Sequence, residues 1–303
     1  MSRILQILLF LLYTKSIIAS AGDREYEYQL CIQTRYVADC SLSTILRLTG
    51  WSCLDDLKYR CMQEISSKRL ERGLEILQYH GKWPFIRVLG MQEPASVLFS
   101  LGNMYAHFRG INSLQKFNGH WKNLYLTFGY ISILVWTAST IFHARDFPIT
   151  EKLDYFMAIL GLEYSFYISF LKAWSLFNSR ITERILIVYY MWHVLYLSIG
   201  RFDYSYNMII GIILGLLTNF HWLLWYYKRG YKTNYGWKQV VFTVGISFAM
   251  SLEVLDFPPI LGFIDAHSLW HLSTIPLVFL HYSFLYDDLL EDLDVNAHRK
   301  RSL

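Results

Sequence analysis

The chain has 303 residues, of which 54% are hydrophobic, 17% aromatic and only 17% charged, with a net charge of +4. Soluble domains carry about 25% charged residues, and a mean hydropathy of +0.25 means more apolar surface than a water-soluble fold of this size can bury. A disordered chain, a collagen-like fibre and a nucleic-acid-binding domain are excluded, and a membrane protein is expected.

Residues 1–21 combine Arg3, the apolar run Ile4–Tyr13 and a terminal Ala19-Ser20-Ala21. That is the pattern of a cleavable signal peptide, and Lys15 leaves the run too short to span a bilayer. Cleavage after Ala21 puts the new amino terminus in the lumen.

Residues 22–93 are polar and hold all four cysteines, Cys31, Cys40, Cys53 and Cys61. An oxidising lumen and a small segment favour disulfides, here two bridges with three possible connectivities. A zinc knuckle fits poorly, because the spacings lack a close C-x-x-C pair. There is no N-x-S/T sequon, so N-glycosylation is not expected.

From residue 94 onward, apolar stretches alternate with short polar loops. Seven transmembrane helices are predicted, at 94–108, 124–144, 153–171, 183–200, 206–227, 239–256 and 268–286, followed by a tail at 287–303. The expected fold is an all-α polytopic membrane protein with residues 94–286 as its membrane domain. Loop charge gives an independent orientation. Thirteen lysines and arginines fall on one side: Arg109, Lys116, Lys122, Lys172, Arg180, Arg184, Lys228, Arg229, Lys232, Lys238, Arg299, Lys300 and Arg301. Only Arg145, Lys152 and Arg201 fall on the other. The positive-inside rule makes the richer side cytosolic.

Ionisable residues in or beside spans need a reason. Ser139 and His143 lie four apart at the lumenal end of the second span, Asp154 opens the third, and His267 and His271 open the seventh. Spacing of i, i+4 puts each pair on one helix face, and the topology brings all five to one membrane depth. Three imidazoles from two helices suit Zn2+ with an open position for water, which the metal brings to a pKa of about 7. In this arrangement Asp154 orients or deprotonates the water, Ser139 donates to an oxyanion, and Asp265 holds a ligand imidazole from behind. Plainer roles compete. Serine in a spanning helix commonly bonds its own backbone, and aspartate at a helix start is commonly a cap. His193, His221 and His281 lack such partners and read as packing or hydrogen-bonded residues.

The blocks S-x-x-x-H-(x10)-D from Ser139 to Asp154 and D-A-H-S-L-W-H from Asp265 to His271 resemble the motifs of the CREST superfamily. These are seven-span metal-dependent hydrolases that include the alkaline ceramidases. G-D-R-E at 22–25, H-G-K-W-P-F at 80–85, Q-E-P-A-S at 92–96, F-D-Y-x-Y-N at 202–207, L-D-F-P-P at 255–259 and H-x-S-T-I-P at 271–276 narrow the resemblance to the Per1-like family.

The resemblance implies a phospholipase A2 that removes the unsaturated sn-2 acyl chain from the inositol phospholipid of GPI-anchored proteins. Those proteins and membrane lipid would be its partners. His143, His267 and His271 match the family's zinc ligands, and Ser139 and Asp154 its remaining catalytic positions. The implied location is the Golgi membrane, as in animal members, with the endoplasmic reticulum of yeast members as the alternative. Members of the family carry six lumenal cysteines, and Arg35 and Leu57 stand here at two of those positions. Joint loss suggests that those two were partners. Another CREST-type hydrolase acting on an amide, a seven-span receptor, and a non-catalytic escort for GPI-anchored proteins are the competing readings.

Overall fold

In the computed structural model the described residues are 20–35, 40–174, 179–199, 202–252 and 255–301. The expected signal peptide therefore lies almost wholly outside them. Within the described residues the chain is helical, with only isolated β-bridges beside the helices.

Three helices belong to the cysteine-bearing region: α1 (Tyr26–Thr34), α2 (Thr44–Leu48) and α3 (Cys53–Glu71). Ser43 caps α2. A reciprocal capping box starts α3, where Ser52 Oγ accepts from Asp55 N at 3.1 Å and Asp55 Oδ2 accepts from Ser52 N at 3.2 Å. Seven long helices follow: α4 (Pro94–Leu114), α5 (His120–Ala144), α6 (Pro148–Ala173), α7 (Ser179–Ser198), α8 (Tyr204–Lys228), α9 (Gly236–Leu252) and α10 (Ala266–Arg301). Each overlaps a predicted span, although α7 and α9 end at Ser198 and Leu252, short of the predicted 200 and 256. Two differ usefully in length: α4 runs to Leu114 rather than 108, and α10 continues unbroken past 286. The tail after 286 has no Gly or Pro and carries Leu289, Leu290, Glu291, Leu293 and Ala297, all good helix formers, so the end of the apolar run does not end the helix.

Of the seven, α5, α6 and α8 are by length and composition able to cross a membrane. This marks the chain as a membrane protein. The other four carry more polarity or less length. Buried Ser96, Ser100, Asn103 and His107 interrupt α4, and α9 has 17 residues.

The chain divides into two compact units. The first contains the described residues up to 95, with 143–145 and 256–266. Its core is Tyr28, Cys31, Leu57, Cys61, Ile65 and Tyr79, and the disulfides are Cys31–Cys61 and Cys40–Cys53. Leu57 belongs to that core, and Arg35 donates to both carboxylate oxygens of Glu64 at 2.6 and 3.2 Å. Packing and an ion pair thus occupy the two positions at which the resemblance implies further cysteines. Trp51 lies between two guanidiniums, Arg87 at 4.2 Å and Arg145 at 4.4 Å from its ring centre. Each of these is anchored in turn, Arg87 to Asp56 and Arg145 to Asp55.

Three tight turns punctuate this unit, centred on His80-Gly81, Leu89-Gly90 and Leu261-Gly262. Both central residues of each have positive φ, the type I′ geometry for which Asn-Gly is preferred. Leucine at φ 51° (Leu89) and φ 54° (Leu261) costs about 1–2 kcal/mol per residue.

The second unit contains the remaining residues. α6 packs against α7 and α8, and α8 against α9. The apolar centre includes Tyr125, Trp222, Trp225, Tyr282, Phe284 and Leu285. Gly110 allows α4 to approach α10 closely, since a Cβ there would lie 2.2 Å from the Tyr282 ring. Charges buried at the far end of α10 are paired: Asp288 accepts from Lys172 at 2.5 Å and from Tyr125 at 2.6 Å.

The two disulfides close loops with sequence separations of 30 and 13. Loop-closure entropy assigns them about 3–4 and about 3 kcal/mol. Replacing Cys31 and Cys61 by serine is expected to lower the denaturant midpoint of the cysteine-bearing unit more than replacing Cys40 and Cys53. Limited proteolysis of the full chain across a urea series measures both.

Candidate metal centre

The site is assembled from short motifs that are far apart in sequence. In the first unit, Glu93 immediately precedes Pro94, the first residue of α4. Its backbone N–H donates to the His143 carbonyl at 3.1 Å, and that of Gln92 to the Ala144 carbonyl at 3.0 Å. The Glu93 side chain then takes two partners. Oε1 accepts from Lys82 Nζ at 2.5 Å, and Oε2 accepts from His143 Nδ1 at 2.7 Å. Burial pushes the Glu93 carboxyl upward, but the charges of Lys82 and His143 and their hydrogen bonds outweigh it and hold it well below the usual carboxylate range. Lys82 belongs to H-G-K-W-P-F and Glu93 to Q-E-P-A-S, so two of the sequence blocks exist to orient a third residue. L-D-F-P-P joins them: Asp256 accepts from Trp83 Nε1 at 2.6 Å and from Gln78 Nε2 at 2.8 Å.

In the second unit, Ser100 of α4 is fully buried. Its Oγ lies 3.0 Å from Ser139 Oγ and 2.9 Å from His271 Nδ1. Asn103, one turn on, donates to the His271 carbonyl at 2.8 Å and accepts from Thr274 Oγ1 at 3.0 Å. This clamps the helix where Pro276 removes a backbone donor. His271 Nε2 and His267 Nε2 face each other at 3.0 Å, and Trp136 packs against His271 edge to face.

His143, His267 and His271 form a group that could hold a metal ion, with one ligand nitrogen of each within 4.8 Å of the others. Two observations test the fit. In His143 and His271 the Nδ1 atom is engaged by a partner, Glu93 or Ser100, which leaves Nε2 and fixes the ring, as metal-ligating histidines require. The 3.0 Å between the His267 and His271 nitrogens is close to the ~3.3 Å that tetrahedral ligands at about 2.0–2.1 Å from zinc would span. The donor set suits zinc.

Of the other expected residues, Asp154 is half-buried on α6 and Asp265 is buried just ahead of α10. The three histidines read as non-site residues behave as packing residues. His193 Nδ1 meets Tyr206 Oη at 3.2 Å, His281 Nδ1 meets Gln239 Oε1 at 2.9 Å, and His221 packs against Phe166 and Phe170.

Ser100, Glu93 and Lys82 were not singled out from the sequence. A signal for Ser100 was present. Ser96, Ser100, Asn103 and His107 fall at i, i+4, i+7 and i+11, a buried polar stripe on one helix face.

Residues 43–289 match the Per1-like family. The chain belongs to the Per1-like family. A Xenopus tropicalis protein named GPI-specific phospholipase A2-like PGAP3 is 40% identical over 92% of this chain and 93% of its own length. Drosophila melanogaster post-GPI attachment to proteins factor 3 is 38% identical over 88% of each. The human GPI-specific phospholipase A2-like PGAP3 is 36% identical over 89% of this chain and 90% of its own. No solved structure matches.

Glu93→Gln keeps the size of the side chain but removes the charge facing Lys82 and His143. Loss of such a partner to a ligating histidine lowers metal affinity by about 10–100-fold. Zinc competition against a chromogenic chelator, with purified wild-type and E93Q protein, measures the change.

Proposed function

We propose that this Per1-like protein is a zinc-dependent phospholipase A2 of GPI lipid remodelling. On this reading it removes the unsaturated sn-2 acyl chain from the inositol phospholipid of GPI-anchored proteins. The observation that carries the reading is the cluster of His143, His267 and His271, with Ser139 tied through Ser100 to one of them, in a chain whose relatives bear the names above. All seven long helices cross the membrane in this reading. The signal peptide and the charge asymmetry put the amino terminus and the histidines on the lumenal side, and the carboxyl terminus in the cytosol. A GPI-anchored protein sits on that leaflet. The Golgi membrane is the proposed location.

When bound, zinc supplies a Lewis acid and makes hydroxide available at neutral pH. The chain's own residues do the rest. Glu93 accepts a hydrogen bond from His143 Nδ1–H, which would leave the Nε2 lone pair of that ring to hold the ion. For His271 to ligate through Nε2, its Nδ1 must carry a proton and donate to Ser100 Oγ. Ser100 then donates its own proton to Ser139 Oγ, and the Ser139 hydroxyl is left with its proton free to give. That proton meets the oxyanion formed when water attacks the sn-2 ester carbonyl. Asp154 takes the proton lost by the water. Collapse of the tetrahedral carbon expels the glycerol oxygen, which takes that proton from Asp154, leaving a free fatty acid and a lyso-lipid. Asp265 steadies a ligand imidazole. Ser100 is thus a positioning residue, directing the Ser139 hydroxyl.

The test is rescue of GPI remodelling in cells lacking their own enzyme, with matched expression of wild type, His267→Ala and Ser139→Ala. The readout is the sn-2 chain on a recovered GPI-anchored protein. Wild type is expected to remove the unsaturated chain, and H267A to leave it in place and to purify with less zinc. S139A is expected to lose about 10²–10³ in rate. Normal remodelling by H267A would overturn the metal reading and favour a non-catalytic escort.

Ser100→Ala breaks the hydroxyl chain without touching the ester. It is expected to lower kcat while leaving KM near the wild-type value, with partial recovery in Ser100→Thr, measured on a short-chain phosphatidylinositol in detergent.

A further inference from the structure

Two of the three type I′ turns place a large apolar side chain where asparagine is preferred. Leu89 is 67% exposed and Leu261 84% exposed. A bulky residue at positive φ is a true outlier, and these two spend the strain on presenting leucine to the outside. The third turn carries His80 at the same position, a residue type that accepts it more readily.

The two leucine turns are neighbours within the first unit. Ile86 N donates to the Gly262 carbonyl at 2.8 Å, and the missing Cβ of Gly262 is where the Ile86 side chain rests. Ile86, Val88 and Ile260 are exposed beside them, so five apolar side chains crowd one edge. Hydrogen bonds within the chain tie this region together, with Asp256 accepting from Trp83 and Gln78.

Chain length says what covers it. Leu89 lies five residues before Pro94, where α4 starts, and Leu261 lies five residues before Ala266, where α10 starts. Five extended residues reach at most about 18 Å. On the seven-span reading above, both helices enter the membrane from the lumenal side, so neither tip can lie farther than that from the point where its helix enters.

We infer that Leu89 and Leu261, with Ile86, Val88 and Ile260, form a wedge that dips into the lumenal leaflet of the bilayer. Its partner is lipid, met at the boundary of headgroups and acyl chains. The wedge fastens the cysteine-bearing unit to the surface on which a lipid-anchored substrate lies.

The native cysteines are all disulfide-bonded, so one introduced cysteine takes a nitroxide label cleanly. The full chain is reconstituted in phosphatidylcholine nanodiscs with a label at Leu89→Cys, Leu261→Cys or Leu70→Cys. Leu70 is 58% exposed near the end of α3, away from the start of that helix where Arg87 docks, and serves as the aqueous reference. Labels at 89 and 261 are expected to be relaxed by oxygen and shielded from a water-soluble nickel chelate, with the reverse at 70. Equal nickel accessibility at all three positions would overturn the wedge. This readout needs no catalysis, so it stands or falls apart from the lipase reading.

A second arm uses Leu89→Asn with Leu261→Asn, which supplies the preferred turn residue and removes the apolar tips. Thermal stability in detergent is expected to hold or rise, while KM for a bilayer-embedded GPI substrate rises and kcat on a detergent-dispersed one is kept. Unchanged KM in bilayers would count against the wedge.

Discussion

A carboxylate shared between an ammonium and an imidazole N–H, buried where water cannot screen it, is the interaction on which the rest of the site is built. Glu93 is held ionised by Lys82 and His143. None of the three is comfortable alone in that setting. Removing one partner from a buried pair costs about 3–5 kcal/mol, because the other is left uncompensated. The arrangement also sets the ring of His143 before any ion arrives. Backbone bonds from 92 and 93 to the carbonyls of 144 and 143 add a second tie, so the loop before α4 and the end of α5 move together.

The same logic recurs in neutral form in the second unit. Ser139 and Ser100 are small hydroxyls in apolar helices, where each would ordinarily return to its own backbone. Here they bond to each other and to His271. The side chains that do bond back, such as Ser132 to the Phe128 carbonyl and Thr140 to the Trp136 carbonyl, lie on the same α5 and show the alternative. What separates Ser139 from them is a partner on another helix. A hydroxyl chain of this kind has a direction, set by which nitrogen of His271 carries the proton.

How far the sequence could be read follows from what each feature depends on. The seven long helices were legible because a continuous apolar run is a local property: 124–144 became His120–Ala144, and 183–200 became Ser179–Ser198. The end of α10 was not, because hydropathy reports greasiness while helix continuation depends on backbone propensity. His143, His267 and His271 stood out as costly residues at a shared depth. Their supports did not. Glu93 sits in a polar loop where a carboxylate needs no explanation, and Ser100 lies in a helix whose polar stripe resembles a weak span. Pairing of the four cysteines required tertiary proximity, which spacing alone leaves open.

The length of α10 has a consequence for how this chain can change. One unbroken helix carries His267 and His271 near its start and Asp287 and Asp288 sixteen and seventeen residues beyond His271, where they meet Lys238 and Lys172. Each residue turns an α-helix by about 100°. A single inserted or deleted residue between the two ends would swing the acids a quarter-turn away from their lysines, or the imidazoles away from Ser100. Substitutions on the outer face leave that phase untouched. The stretch between His271 and Asp287 is thus free in composition along its exposed side, yet locked in count.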